Sequence, residues 1–111
     1  VDDHCSAIDS VLQKGKSGET YLVGADCERH NVDIVKAILK IMGKPESLIT
    51  YVPDRPGHDR RYALDSSKIK KQLGWKPTHD FDTWLAKTVE WYEDNQWWWR
   101  PLKKRAESIY K

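Results

Sequence analysis

Phe81, Trp84, Leu85, Thr88, Val89 and Tyr92 fall at i, i+3, i+4, i+7, i+8 and i+11 behind Asp80. That spacing becomes one continuous face only on an α-helix. Such a helix holds in water when its face is packed, so the chain must fold helices onto a further layer. Two earlier stretches repeat the pattern. Ala7, Ile8, Val11 and Leu12 follow Asp2 and Asp3, which suit the positive end of a helix dipole, and Gly15 reads as a left-handed stop. Asn31 reads as the cap of a second helix, with Asp33 in its first turn, Ile34, Val35, Ile38, Ile41 and Met42 on its face, and Gly43 and Pro45 at its end. Asp65 reads as the cap of a short helix over Ser66 to Leu73, closed by Gly74.

Between the helices lie β-prone runs. Thr20, Tyr21, Leu22 and Val23, closed by Gly24, predict a buried strand, and Ile49 to Val52, stopped by Pro53, predicts a second. Arg61 to Leu64 predicts a short extended stretch, and Ala25 to His30 a polar loop. The predicted order is α, β, α, β, short β, α, α. This is an α/β fold with few short strands and packed helices, and 111 residues suit a single domain over 1–111. Beyond Asn95 come Trp97, Trp98 and Trp99 and then Arg100, Lys103, Lys104 and Arg105, with Pro101 arguing against one uninterrupted helix.

Charge and composition narrow the function. Nineteen Lys and Arg against seventeen Asp and Glu leave +2, too balanced for a nucleic-acid coat, so an anion site must be local. No apolar run approaches the roughly 18 residues of a membrane span, and no signal-peptide pattern opens the chain. Two cysteines, Cys5 and Cys27, fit free thiols in a reducing, cytoplasmic setting. Six Trp and five Tyr against one Phe point to amphipathic surfaces, part of whose cover is expected to come from another domain. The chain opens at Val1 and its only methionine is Met42, so it is expected to be a piece of a longer protein.

The densest functional cluster is Asp54-Arg55-Pro56-Gly57-His58-Asp59-Arg60-Arg61. Pro56-Gly57 makes a tight turn that brings backbone N–H groups near a ligand, and Arg55 offers a planar fork for phosphate oxygens. The plain alternative is that Asp54, Asp59 and the three arginines neutralise one another on a solvated turn. A hydrolytic dyad of His58 and Asp59 has no marked nucleophile beside it. A zinc site from His4, Cys5, Cys27 and His30 lacks two well-formed ligand pairs, so no metal is expected. The Trp and Arg tail fits either single-strand stacking or packing against a neighbouring lobe. The six glycines never fall two apart, which excludes the Gly-x-Gly-x-x-Gly loop, and no tyrosine has a lysine four residues after it.

The stretch Ile49-Thr-Tyr-Val-Pro-Asp-Arg-Pro-Gly-His-Asp-Arg-Arg-Tyr-Ala-Leu-Asp65, followed by Lys68-Ile69, Leu73-Gly-Trp-Lys-Pro77 and Thr88-Val-Glu-Trp-Tyr92, resembles the C-terminal part of the dTDP-glucose 4,6-dehydratases, extended short-chain dehydrogenases. Val1-Asp-Asp-His4, Gly18-Glu-Thr-Tyr21 and Asn31-Val-Asp-Ile-Val35 sit in the same order. The resemblance implies a two-lobed hydro-lyase whose N-terminal Rossmann lobe binds NAD and carries the catalytic Tyr-x-x-x-Lys, while this chain is most of the C-terminal nucleotide-sugar-binding lobe. The implied reaction oxidises the sugar at C4, eliminates water across C5 and C6 and returns the hydride to C6, giving dTDP-4-keto-6-deoxyglucose. No catalytic, cofactor-binding or metal residue falls in this segment, and the fragment alone is implied to be inactive.

Carried over by matching positions, Asp54, Arg55, Pro56, Gly57 and His58 are implied to line the nucleotide site, with Asn31 and Tyr110 as further substrate contacts. Val23-Gly24-Ala25 stands in place of a frequent double-glycine turn, Leu22 in place of a frequent asparagine, and a substrate arginine of the family lies before Val1. The partners implied are a dTDP-sugar and the Rossmann lobe of the same polypeptide, in a homodimer formed mainly through that lobe. Alternatives are the substrate lobe of another nucleotide-sugar epimerase or dehydratase, or a free-standing module that binds nucleic acid or protein.

Overall fold

The computed structural model describes residues 1–109. Its elements are α1 (Asp2–Lys14), α2 (Asn31–Ile41), a 3-10 turn (Glu46–Leu48), α3 (Ser67–Leu73), α4 (Phe81–Asp94) and α5 (Gln96–Ile109). They belong to two compact units: Val1–Asn31 with Thr50–Asp80, and Val32–Ile49 with the chain from Phe81 onward.

The first unit is built where α1 meets α3. Ala7 and Ile69 are fully buried, Leu73 and Trp75 nearly so, and Val11, Tyr21 and Val23 pack against them. Trp75 buries its ring and satisfies its indole by donating Nε1–H to Ser6 Oγ at 2.9 Å. The start of α1 is stapled to the chain after Trp75 by one carboxylate. Asp3 accepts the Thr78 amide at 3.0 Å, the Thr78 hydroxyl at 2.8 Å and the His79 amide at 3.1 Å, and lies 2.7 Å from His79 Nδ1. These donors, the Thr78 amide first, hold the Asp3 carboxyl well below the usual carboxylate range.

On the far side of α3, Lys68 donates to Glu19 at 2.6 Å and to the Thr20 carbonyl at 2.8 Å. Lys70 pairs with Asp26, and the buried Ser66 donates its hydroxyl to Asp26 at 3.0 Å. Asp26 adopts φ 50, a left-handed backbone that aspartate tolerates better than most residues. Asp65 accepts the Ser67 amide at 2.8 Å, and Gly74 closes α3 at φ 70, as the sequence predicts.

In the second unit α2 ends in a Schellman motif. Gly43 takes φ 62, the Lys44 amide donates to the Leu39 carbonyl at 2.8 Å and the Gly43 amide to Lys40 at 3.2 Å. α4 and α5 are joined by Asn95, whose amide and side chain both donate to the Trp91 carbonyl at 3.0 and 2.8 Å. Trp91 and Trp98 meet edge to face with centroids 5.5 Å apart. Trp99 donates its indole N–H to the Tyr92 carbonyl at 2.7 Å, filling an acceptor that the end of α4 leaves open.

Four expectations are corrected. Among the described residues there is no β-strand, so the few short strands expected are not found and the helices are joined by irregular connections. Polar groups of the Thr20 to Val23 run are taken by side chains of α3 and by the turn after α1: Lys68 takes the Thr20 carbonyl, and the Tyr21 hydroxyl joins Gln72 and the Lys16 amide. Tyr51 and Val52 are about four-fifths exposed at 80% and 77%, and Leu64 is 56% exposed, so neither later run has the half-buried surface that β-propensity reflects. Gly15 stops α1 at φ −67, not in the left-handed region; it is needed because a Cβ there would collide with the Val11 carbonyl oxygen. The helix expected from Ser66 begins at Ser67, with Ser66 turned into the core. Finally, α5 runs through Pro101 as one helix, losing a single amide donor in a segment otherwise rich in helix formers.

Two predictions follow from the first unit. Ile69→Ala should cost about 2–5 kcal/mol in urea unfolding, because the side chain is fully buried and its loss leaves a cavity in the small core. Asp3 contributes stability that is complete above the ordinary carboxyl range and is lost as pH falls below about 4 towards its lowered folded value. Asp3→Asn should therefore lower Tm at neutral pH and flatten the acid limb of Tm against pH; parallel limbs would show that the carboxylate charge is not what holds the contact.

Candidate functional site

The turn at 55–58 is fixed by its own chemistry. Pro56 presets φ at the second position, Gly57 takes φ 72 at the third, and the His58 amide donates to the Arg55 carbonyl at 3.3 Å, which describes a type II turn. Asp54 closes it from outside. One of its oxygens accepts the Arg55 amide at 2.9 Å and lies 2.6 Å from His58 Nδ1. The His58 bond, and then the Arg55 amide, hold the Asp54 carboxyl below its usual range.

The expected mutual neutralisation of the loop happens only in part, and with partners the sequence did not reveal. Asp59 is engaged by the Tyr62 hydroxyl at 2.6 Å, which raises the Tyr62 phenol above its ordinary pKa. Arg61 reaches back to Glu28 through two bonds of 2.7 Å, a bidentate pair that lowers the Glu28 carboxyl and raises the arginine. Among the described residues, the guanidinium groups of Arg55 and Arg60 have no hydrogen-bond or ion-pair partner. The loop thus presents two free cationic forks beside a turn whose carboxylates are occupied.

The Glu28 and Arg61 pair ties the 54–61 loop to the segment that leads into α2. Next to that pair, a cleft of about 540 Å³ runs between Gly24 to Glu28 on one side and Tyr62, Ala63 and Leu64 on the other, with no residue of the 54–61 loop in its lining. Asn31, three residues beyond Glu28, is the first residue of α2 and is exposed. Asp54, Arg55, Pro56, Gly57 and His58 thus share one turn, while Asn31 has no direct bond to it among the described residues; the nearest tie is the Glu28 and Arg61 pair, three residues from Asn31 and three from His58. Tyr110 lies outside the described residues. Glu28 and Asp26 were missed by the sequence reading, which placed both in a polar loop; only their three-dimensional partners distinguish them.

The other candidate chemistries find little support. Cys5 and Cys27 are exposed free thiols, and among the described residues no cluster of His, Cys, Asp or Glu could hold a metal ion. His58 pairs with Asp54 and not with Asp59. Of the tail tryptophans, Trp98 and Trp99 are engaged with α4, so a stacking platform for single-stranded nucleic acid would rest on Trp97. Among the described residues no helix is long and apolar enough to cross a membrane.

A family model described as GDP-mannose 4,6 dehydratase matches residues 1–88. dTDP-glucose 4,6-dehydratase of Mycolicibacterium smegmatis is 48% identical over 100% of this chain and 34% of its own length. The Xanthomonas campestris enzyme of the same name is 53% identical over 88% of this chain and 30% of its own. Crystal structures of dTDP-glucose 4,6-dehydratase from Bacillus anthracis in complex with NAD and from Streptomyces venezuelae with NAD and TYD bound superpose with TM-scores of 0.86 and 0.88, at 48% and 44% identity. Each covers 91% of this chain, and the chain covers 32% and 31% of those structures. The chain thus spans about a third of the length of these relatives.

Reversing the Glu28 and Arg61 pair tests the tie. Glu28→Arg and Arg61→Glu should each loosen residues 26–31, seen as several-fold faster amide exchange there, and the double reversal should restore protection. A double variant as unprotected as the singles would show that the pair does not hold the segment.

Proposed function

The chain belongs to the GDP-mannose 4,6-dehydratase family, and from that premise we propose that it is the C-terminal substrate-binding part of a dTDP-glucose 4,6-dehydratase. The observation that carries the reading is the Arg55 guanidinium, left without a partner among the described residues on a Pro-Gly turn whose own carboxylates are engaged. A planar, permanently charged donor held this way suits the diphosphate of a nucleotide sugar. Arg60 adds to the local positive field, His58 is the last residue of the turn, and Asn31 supplies an amide at the head of α2 for a neighbouring polar group of the ligand. Residues 1–111 act on this reading as one substrate lobe of a cytoplasmic enzyme that dehydrates dTDP-glucose, with a homodimer as its assembly.

NAD belongs to this reading only through the rest of such an enzyme. A dinucleotide needs a strand that feeds a glycine-rich turn at a helix start, and among the described residues there is no strand. The glycines of the chain never fall two apart. The residues present do not fit the cofactor, and the role of this chain is to hold and orient the nucleotide end of the substrate.

The relatives named above act, by name, on a dTDP-sugar and the family model on a GDP-sugar, so the nucleotide is the quantity to measure. Titrating the chain with dTDP, dTDP-glucose, UDP-glucose and GDP-mannose should perturb the amides of Arg55, Gly57, His58 and Asn31, most strongly with the dTDP compounds. Arg55→Ala should weaken that response by about ten- to a hundredfold, the worth of a charge-assisted contact of about 1.5–3 kcal/mol. An unchanged response would move the site elsewhere, and a preference for a UDP- or GDP-sugar would make the parent another nucleotide-sugar epimerase or dehydratase.

A further inference from the structure

An aspartate immediately before the arginine of an anion site is a physical puzzle, because its charge opposes the ligand. The geometry points to an answer: we infer that Asp54 is a positioning residue, which fixes the His58 imidazole so that its Nε2 faces the nucleotide. The inference rests on the diphosphate reading of the turn and concerns how that turn is organised.

A carboxylate can only accept, so the 2.6 Å approach of His58 Nδ1 to Asp54 Oδ1 places the ring proton on Nδ1. The same oxygen accepts the Arg55 amide, so the carboxylate is held by two donors three residues apart in sequence. The type II turn at Pro56 and Gly57 brings residues 54 and 58 together, and the His58 side chain is 35% exposed. With Nδ1 held by Asp54, Nε2 is the ring nitrogen left for a ligand. When neutral it accepts from a ribose hydroxyl, and when charged it donates to a phosphate oxygen. The other charges of the loop do not compete for the ring: Asp59 is held by Tyr62, Arg61 by Glu28, and Arg55 and Arg60 are cations.

This assignment inverts the simple electrostatic expectation. If Asp54 acted only through its charge, removing it would tighten binding of an anion. If it acts through His58, removal weakens binding. Wild type, Asp54→Ala, His58→Ala and the double variant are therefore titrated with dTDP, and the ring nitrogens of His58 are followed by nitrogen NMR without ligand at a pH where the ring is neutral. Asp54→Ala should weaken dTDP binding by about tenfold, in line with one charge-assisted hydrogen bond. In the His58→Ala background the same change should leave binding equal or tighter, since there is no ring to orient. The neutral ring should carry its proton on Nδ1 in wild type and shift towards Nε2 in Asp54→Ala.

Tighter binding by Asp54→Ala, equal weakening in both backgrounds, or a tautomer that does not move would each overturn the positioning role while leaving the Arg55 site intact. Failure of wild type to bind dTDP at all would instead remove the nucleotide reading, and this inference with it.

Discussion

Ala7 of α1 is fully buried in one core with Ile69 and Leu73 of α3, a contact that a small side chain on α1 suits because it lets two helices pack closely. Everything functional in the first unit is referred to that contact. Once α3 is seated, Lys68, Ser66 and Lys70 on its flank take hold of Glu19, Thr20 and Asp26, so a connection without secondary structure acquires a fixed course. Two residues further on, Glu28 grips Arg61 and with it the base of the turn that carries Arg55. The path from core to site is thus a relay of side chains, each of which anchors a stretch of backbone that makes no ladder of its own.

The charge arrangement follows the same economy. Outside Arg55 and Arg60, the loop's charged groups are all matched one to one, Asp54 by His58, Asp59 by Tyr62 and Arg61 by Glu28. What remains is local positive charge on a chain whose overall balance is only +2. Such a site attracts an anion at short range without making the protein a general polyanion binder.

The helices were legible because their signals are local: the apolar period of Phe81 to Tyr92, the glycines at 43 and 74, the carboxylate of Asp65 ahead of α3. The turn was legible for the same reason, since Pro56 and Gly57 carry their φ preferences with them. The strands were misjudged because β-prone composition specifies a half-buried surface and not its neighbour, and here side chains of α3 took polar groups of the first run while the later ones lie exposed. The pairings of Glu28 with Arg61 and of Asp26 with Ser66 and Lys70 join residues 33 to 44 positions apart, and nothing in the local pattern announces them. Pro101 misled for the opposite reason: a local rule was applied where only one hydrogen bond was at stake.

The distribution of indoles gives the molecule an internal optical bookmark. Trp75 is the only one of the six in the first unit and is 7% exposed, while Trp84, Trp91, Trp97, Trp98 and Trp99 all belong to the second. Lys87 lies 4.3 Å from the centroid of the Trp84 ring and Trp91 meets Trp98 edge to face, so the indoles of the second unit sit in surroundings unlike that of Trp75. Trp75, shielded from water, is the indole that answers to the α1 and α3 core. The two halves of the chain therefore carry separate spectroscopic labels, written in native residues.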